Sequence, residues 1–541
     1  MMNCFIRFLV SFVFTLLLAG NVFSQLSEKA RFDISKNLNI YNDIFKQLSL
    51  YYVDSIAAEK IIRENIDFML GKLDPYNEYI SEEEMPDFLL YTTGEYGGIG
   101  AVITSDTNHV FVAQLYEGMP ANAAGLQPGD ILLEINGESL LKKPSSFASE
   151  RLKGQPNTKV KIKFLRSGEN SPREVVITRK RIEIDPVTFY GTFPKNVGYI
   201  YLSNFTANSA KSVRAALDDL KKNHQITSLI IDLRDNGGGV VEDCLEMLNL
   251  FVNKGELLLT MKGKFPHLDK KYFALKDPAE PDLPIAVIVG SQSASASEIF
   301  AGTIQDLDRG IVIGGRTYGK GLVQSTLTLP YNGKLKLTTA KYYIPSGRCI
   351  QAIDYSHKND DGSVSSIPDS LTNIFYTSKG REVRDGGGIT PDIAIEQKKY
   401  PTMLYYLDRQ NILFHFVTKW RQNHPEIDRP ETFSLPKDIW GEFIDFAKTK
   451  DFSYDRQSEK VLKNLREVME LEGYFDAASN EFDALEKKLQ QDIDRDLNLH
   501  REQIEDLLAK EIIQHYYLAR GTIIYSLRND EIMEKAIDVL N

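Results

Sequence analysis

The stretch SLIIDLRDNGGGVVEDCLEMLNLF, residues 228–251, decides the fold. Ser228 to Asp232 form a continuous apolar run, the pattern of a strand covered on both faces. A turn of three glycines follows, and then Val240–Phe251 places its apolar residues at helical intervals. Strand, tight turn and amphipathic helix make one step of a layered α/β domain. The flanking sequence repeats the step. Upstream, Gly198–Leu202 reads as a strand and Ser209–Lys222 as a helix. Downstream come strand Ile285–Val289, helix Ser295–Gln305 and strand Gly310–Ile313.

Beyond this core the rhythm changes in both directions. Residues 323–345 alternate apolar and polar around Tyr331-Asn332-Gly333, as a hairpin does. Residues 356–370, with Asp360-Asp361-Gly362 and several serines, read as an exposed loop. After Pro391 the character shifts again, and 455–541 is rich in helix formers with breaks at Gly473 and Gly521. On the N-terminal side, Gly94-Glu95-Tyr96-Gly97-Gly98-Ile99-Gly100 opens a strand-rich module. Its strands are expected at Ala101–Thr104, Val110–Gln114, Ile131–Ile135, Lys159–Arg166 and Glu174–Arg179, with one helix around Ala121–Gly125. That is a small, partly open barrel. Residues 25–90 read as helical until Leu73-Asp74-Pro75 breaks the pattern.

The chain has 541 residues, enough for several domains, and a net charge of −11, which favours neither nucleic acid nor an anionic membrane. Arg7, the apolar run Phe8–Ala19 and the small residues of Val22-Phe23-Ser24 have the layout of a secretory signal. An uncleaved anchor is the alternative. A signal implies a periplasmic or secreted protein. Without residues 1–24 only Cys244 and Cys349 remain, too few for a disulfide framework. The histidines show no metal-binding pair, so no metal or other cofactor is expected.

Three motifs follow strand ends: Arg234–Gly239, Ser291–Glu298 and Thr317-Tyr318-Gly319-Lys320-Gly321. In a parallel sheet all three meet at its carboxyl edge, where open α/β sheets bind ligands. A serine at a helix start, glycine N–H groups that can hold an oxyanion, and a lysine point to acyl transfer. Lys320 is the candidate base, because no histidine stands near these motifs. No acidic residue lies within ten positions of it. Lysine can give up its proton near neutral pH when buried. The serine–alanine alternation is also what an N-cap with small packing residues looks like. Gly314-x-x-x-x-Gly319-Lys320 approaches a phosphate loop, but Gly321 replaces the hydroxyl residue that magnesium requires.

On these residues the sequence resembles the carboxy-terminal processing, or tail-specific, proteases. The resemblance runs from about Tyr51 to Asp392. It is carried by Tyr52-Val53-Asp54, Leu73-Asp74-Pro75, Gly97–Gly100, Met119-Pro120-Ala121, Ala124–Asp130, Ser293–Glu298 and Tyr318–Gly321. It implies a layered α/β spiral of the ClpP/crotonase kind with an inserted PDZ domain and helical ends. The expected order is signal peptide 1–24, helical region 25–90, PDZ domain 91–181, protease core 182–395 and helical extension 396–541. Carried over by position, Ser295 is the nucleophile, Lys320 the general base and Gln324 the residue that orients the lysine. Ala296 and Gly238 supply the oxyanion N–H groups, and Asp306 is supportive. Gly98, Ile99, Gly100 and Ala101 bind the substrate tail. The implied function is an endopeptidase cutting exported proteins near a free, apolar C-terminus, with a homodimer through the helical ends allowed. The competing reading is a catalytically silent PDZ scaffold. Ser293 and Ser297 are the nearest misassignments, and Cys349 reads as structural.

Overall fold

The computed structural model describes residues 27–358, 364–395, 401–450, 452–454, 456–489 and 492–541. The expected signal, 1–24, lies outside the described residues. Among them no helix is long and apolar enough to cross a membrane. The chain divides into two compact units, 1–79 and 80–541.

The described residues of the first unit are mainly helical. Glu28–Tyr51 has no buried residue and exposes Ile34, Leu38, Tyr41 and Leu48 at helical spacing. Ala58–Gly71 ends ahead of Leu73-Asp74-Pro75, where a helix cannot continue into proline.

At the centre of the second unit is a six-stranded sheet in the order Val187–Phe193, Val197–Leu202, Ser228–Asp232, Ile285–Val289, Ile311–Gly314, Ile393–Ala394. The first pair is antiparallel and the rest are parallel. Side chains alternate between faces, so one strand feeds two cores. Leu229, Ile231, Val287 and Val289 pack with helices Ser209–His224, Val241–Leu248 and Ala296–Asp306. Ile230, Ala286, Ile288 and Ile313 face the other way, onto Met533 and Ala536 of the final helix, Glu531–Val539. The continuous apolar strands are therefore covered twice, and the second cover comes from the far end of the chain.

An antiparallel layer follows. Leu322–Thr328 pairs with Lys334–Tyr343, which pairs with Leu257–Gly263. Tyr331 and Asn332 turn at φ 56° and 58°, the positive-φ pair that a tight hairpin takes.

The small module is a sheet in the order Ala101–Ser105, Val110–Leu115, Ile131–Ile135, Lys159–Leu165, Arg173–Thr178. It has two helices rather than the one expected. Pro120–Ala123 is short, and Ser145–Leu152 packs Ala148 and Leu152 into the module's core.

Two further expectations are corrected. Segment 356–370 is not simply a loop, since Ile353–Lys358 pairs with Val364–Ser366 in a ribbon; residues 359–363 lie outside the described residues. Gly521 is no break, for it sits inside helix Arg501–Ser526, and the backbone departs at Leu518 instead (φ 56°, ψ −165°). Leu518 packs against the core of the small module, a tertiary contact invisible to helix propensity. Gly473 does end its helix in the left-handed conformation.

The helical region has its own core around Phe416, Trp420, Phe443, Leu508 and Ile512. It grips the small module as well: Phe414 stacks on Phe111 with centroids 5.1 Å apart, and Gln422 Nε2 donates to Ser167 Oγ at 2.6 Å.

Candidate active site

The carboxyl edge of the central sheet brings the three motifs together. Helix Ala296–Asp306 starts from Ser295, which is held at φ 55°, ψ −116°. That is an uncommon, strained conformation for a residue with a side chain. The neighbouring serines Ser293 and Ser297 are committed elsewhere. Ser293 Oγ donates to Leu233 O at 2.7 Å and accepts from Gly290 N–H at 2.9 Å. Ser297 Oγ donates to Asn236 O at 2.8 Å. Both are fully buried, whereas Ser295 is half-buried.

The glycine turn presses directly on Ser295. Gly238 has φ 98°, and a Cβ there would stand 2.6 Å from Ala294 O, 2.8 Å from Ser295 Cβ and 2.9 Å from Ala296 N. Only glycine fits. Ala296 lies in the first helical turn, where N–H groups have no intrahelical acceptor. The Gly238 N–H donates to Asn236 Oδ1 at 2.8 Å. The buried Asn236 side chain also donates to Leu202 O at 3.0 Å.

What joins the serine to the lysine segment is Glu298, a residue to which the sequence reading gave no role. Its carboxylate is fully buried and accepts from Ser295 N–H at 2.9 Å, Lys320 N–H at 2.8 Å, Gly319 N–H at 2.7 Å and Thr317 Oγ1 at 2.5 Å. Burial pushes this carboxyl up to about 7, against the pull of those four donors. The signal was present: Ser295-Ala296-Ser297-Glu298 is a capping-box pattern, in which the acid three residues on reaches back to the N-cap N–H. Tyr342 adds a second tie, its hydroxyl lying against Lys320 O and 3.2 Å from Ser295 O.

Lys320 is half-buried at the end of the lysine segment. Gln324 follows on strand Leu322–Thr328, at a register bulge, with its Nε2 donating to Thr338 Oγ1 at 3.2 Å. Asp306 stands at the far end of the serine helix, away from these groups. It accepts from the buried Arg348 at 2.8 Å and from Ser346 N–H at 2.9 Å, so its place is structural. Replacing Asp306 with Asn strips Arg348 of its counter-charge and is expected to remove about 3 kcal/mol of stability, read from the urea midpoint. Cys244 and Cys349 are both free thiols, and burial raises the Cys349 thiol, which disfavours a nucleophilic thiolate.

In the small module, Gly98 ends strand Glu95–Gly98, Ile99 is buried in the module core, Gly100 turns at φ 76° and Ala101 begins the edge strand.

Known proteins match these parts in the same order. The profile of the PDZ domain matches residues 111–166, that of peptidase family S41 residues 196–358, and that of the C-terminal helical domain of probable PDZ-proteases residues 403–540. The chain is 33% identical over 321 residues to a carboxy-terminal-processing protease of Bartonella bacilliformis, covering 59% of this chain and 73% of that protein. It is 27% identical over 454 residues to a probable CtpA-like serine protease of Staphylococcus aureus MRSA252, covering 82% and 80%. Among solved structures, a photosystem II D1 C-terminal processing protease aligns at 23% identity with a TM-score of 0.36, over 68% of this chain and 94% of that one.

Proposed function

Because the chain belongs to the carboxy-terminal processing proteases of peptidase family S41, we propose that it is a serine endopeptidase that captures the free C-terminus of exported proteins on its PDZ domain and cuts near that end. The observation that carries this reading is the junction at Ser295. Ser295 is only half-buried where Ser293 and Ser297 are fully buried, and it sits on a strained helix start, against Gly238 and tied through Glu298 to Lys320.

In the proposed reaction Lys320 Nζ, as the free amine, takes the Ser295 Oγ proton while Oγ attacks the scissile carbonyl. The oxyanion is held by Ala296 N–H and by Gly238 N–H, which must turn from Asn236 Oδ1 to serve. The lysinium then protonates the leaving amine, and water deprotonated by Lys320 hydrolyses the acyl-enzyme. Gln324 orients Lys320. The first 24 residues would direct the chain out of the cytoplasm, and a homodimer would form through the helical ends. The silent-scaffold reading leaves the tie between Ser295 and Lys320 without a purpose.

A peptide with a free apolar C-terminus should be cut about tenfold more efficiently than its C-terminal amide, since charge-assisted hydrogen bonds to the carboxylate are lost in the amide. Equal kcat/KM for acid and amide would remove the capture role.

A further inference from the structure

The segment that carries Gly238 is held at both ends. On the far side, Gly238 O accepts from Phe205 N–H at 2.9 Å. The near side is a tight turn, 233–236, closed by Asn236 N–H on Leu233 O at 3.0 Å, with Arg234 and Asp235 at its centre. This turn is bonded to the serine motif as one piece. Leu233 O accepts from Ser293 Oγ at 2.7 Å, and Asn236 O accepts from Ala294 N–H at 3.2 Å and from Ser297 Oγ at 2.8 Å.

The piece borders a cleft of about 1170 Å³, lined by its Arg234, Asp235, Ser291 and Gln292 and by Asn529 and Asp530 of the C-terminal helical region. Arg234 joins the two sides. Its Nε donates to Asp232 at 2.8 Å, and its Nη1 donates to Asp530. Both carboxylates are buried and the arginine side chain is 19% exposed; the rigid guanidinium fork can serve two carboxylates at once. Asp530 is itself the N-cap of the final helix. Its Oδ1 accepts from Ile532 N–H at 2.9 Å and Met533 N–H at 3.1 Å, which leaves Oδ2 for Arg234. That helix is seated on the central sheet by Met533 and Ala536, so the anchor of Arg234 is fixed to the fold independently of the active-site turns.

To hold an oxyanion, Gly238 N–H has to leave Asn236 Oδ1. The two torsions that swing it, ψ of Gly237 and φ of Gly238, belong to glycines, and a Cβ at 237 would meet no atom within 4 Å. A donor that swings this freely is placed accurately only when the segment around it stays still, and oxyanion stabilisation depends on that placement. We propose that Asp530 is a positioning residue for the reaction: through Arg234 it holds the glycine turn and the serine motif still while Gly238 N–H swings to the oxyanion. The C-terminal helical region then takes part in turnover and not in folding alone. The inference rests on the proposed acyl transfer at Ser295 with Gly238 as a donor.

Asp530→Ser in the full chain tests it, because serine still caps the final helix but offers Arg234 no carboxylate. With a free-acid apolar peptide, kcat is expected to fall about tenfold at unchanged KM. A peptide aldehyde, whose hemiacetal with Ser295 sets its oxygen in the same hole, should bind about tenfold more weakly. Met533→Ala loosens the same helix without touching the ion pair, and should lower the melting temperature while kcat stays. Unchanged or faster turnover in Asp530→Ser overturns the inference, as does a fall in kcat with no loss of aldehyde affinity. An equal loss of kcat in Met533→Ala overturns it too, since the seating of the helix would then suffice. Should Asp530→Ser not fold, Arg234→Lys carries the same test, because one ammonium cannot span both carboxylates; full kcat there is an equal refutation. If Ser295→Ala still cleaves the peptide, the acyl-enzyme reading falls and takes this inference with it. An inactive Ser295→Ala beside a fully active Asp530→Ser sinks the inference alone.

Discussion

Ser295→Ala and Lys320→Ala are each expected to lower kcat/KM on a free-acid peptide by about 10⁴-fold or more, with the fold retained. The serine supplies the only proposed nucleophile, and the lysine the only proposed base. Removing either leaves just oxyanion stabilisation and binding. The two losses should not add in the double variant, because the groups act as one unit. Lys320→Arg should be as inactive as the alanine variant, since guanidinium does not give up its proton at working pH. Circular dichroism and a melting curve, run beside the kinetics, separate lost chemistry from lost structure. Near-normal turnover in Lys320→Ala would refute the lysine-base assignment.

Glu298→Gln is expected to lower kcat/KM by about 10²–10³-fold, through position rather than proton transfer. The carboxylate receives three N–H groups and one hydroxyl. Glutamine keeps one oxygen acceptor and turns an NH₂ donor towards the rest, so part of the tie between Ser295 and Lys320 must open. The variant also has a pH signature. The folded-state carboxyl titrates near 7, raised by burial from an ordinary 4.5, so the folded chain holds a proton that the unfolded chain releases between those values. This group therefore loses stability for the fold as pH rises through that window, by on the order of 3 kcal/mol in full above it. Glu298→Gln should remove that slope from the melting temperature between pH 5 and 8. A slope equal to that of the unsubstituted chain would show that Glu298 does not titrate there. Rescue by Glu298→Asp is expected to be small, because the shorter acid cannot span the same four donors.

Local periodicity made much of the architecture readable. Apolar runs such as Leu229–Ile231 and Ile285–Val289 read as doubly covered strands, and glycine or serine at their ends marked the turns. The hairpin at Tyr331-Asn332-Gly333 followed from the same kind of pattern. The misses each have their own physical cause. Leu518 leaves helical geometry where it packs on another module, and nothing in its neighbours along the chain announces that. The helix Ser145–Leu152 is only eight residues long, with a weak apolar stripe, too short for its period to stand out. The polar segment beginning at 356 pairs with itself despite a loop-like composition, because the ladder is made by backbone groups that every residue carries.

The sequence by itself determined the alternation of strand and helix and the convergence of three motifs on one sheet edge, because both follow from short-range periodicity and the handedness of strand–helix–strand units. Tertiary structure alone decided which groups complete that edge. Glu298 meets the lysine segment from 22 residues away, and Arg234, beside the glycine turn, pairs with Asp530 across 296 residues. Such contacts depend on where packed elements come to rest, and local sequence carries no record of that.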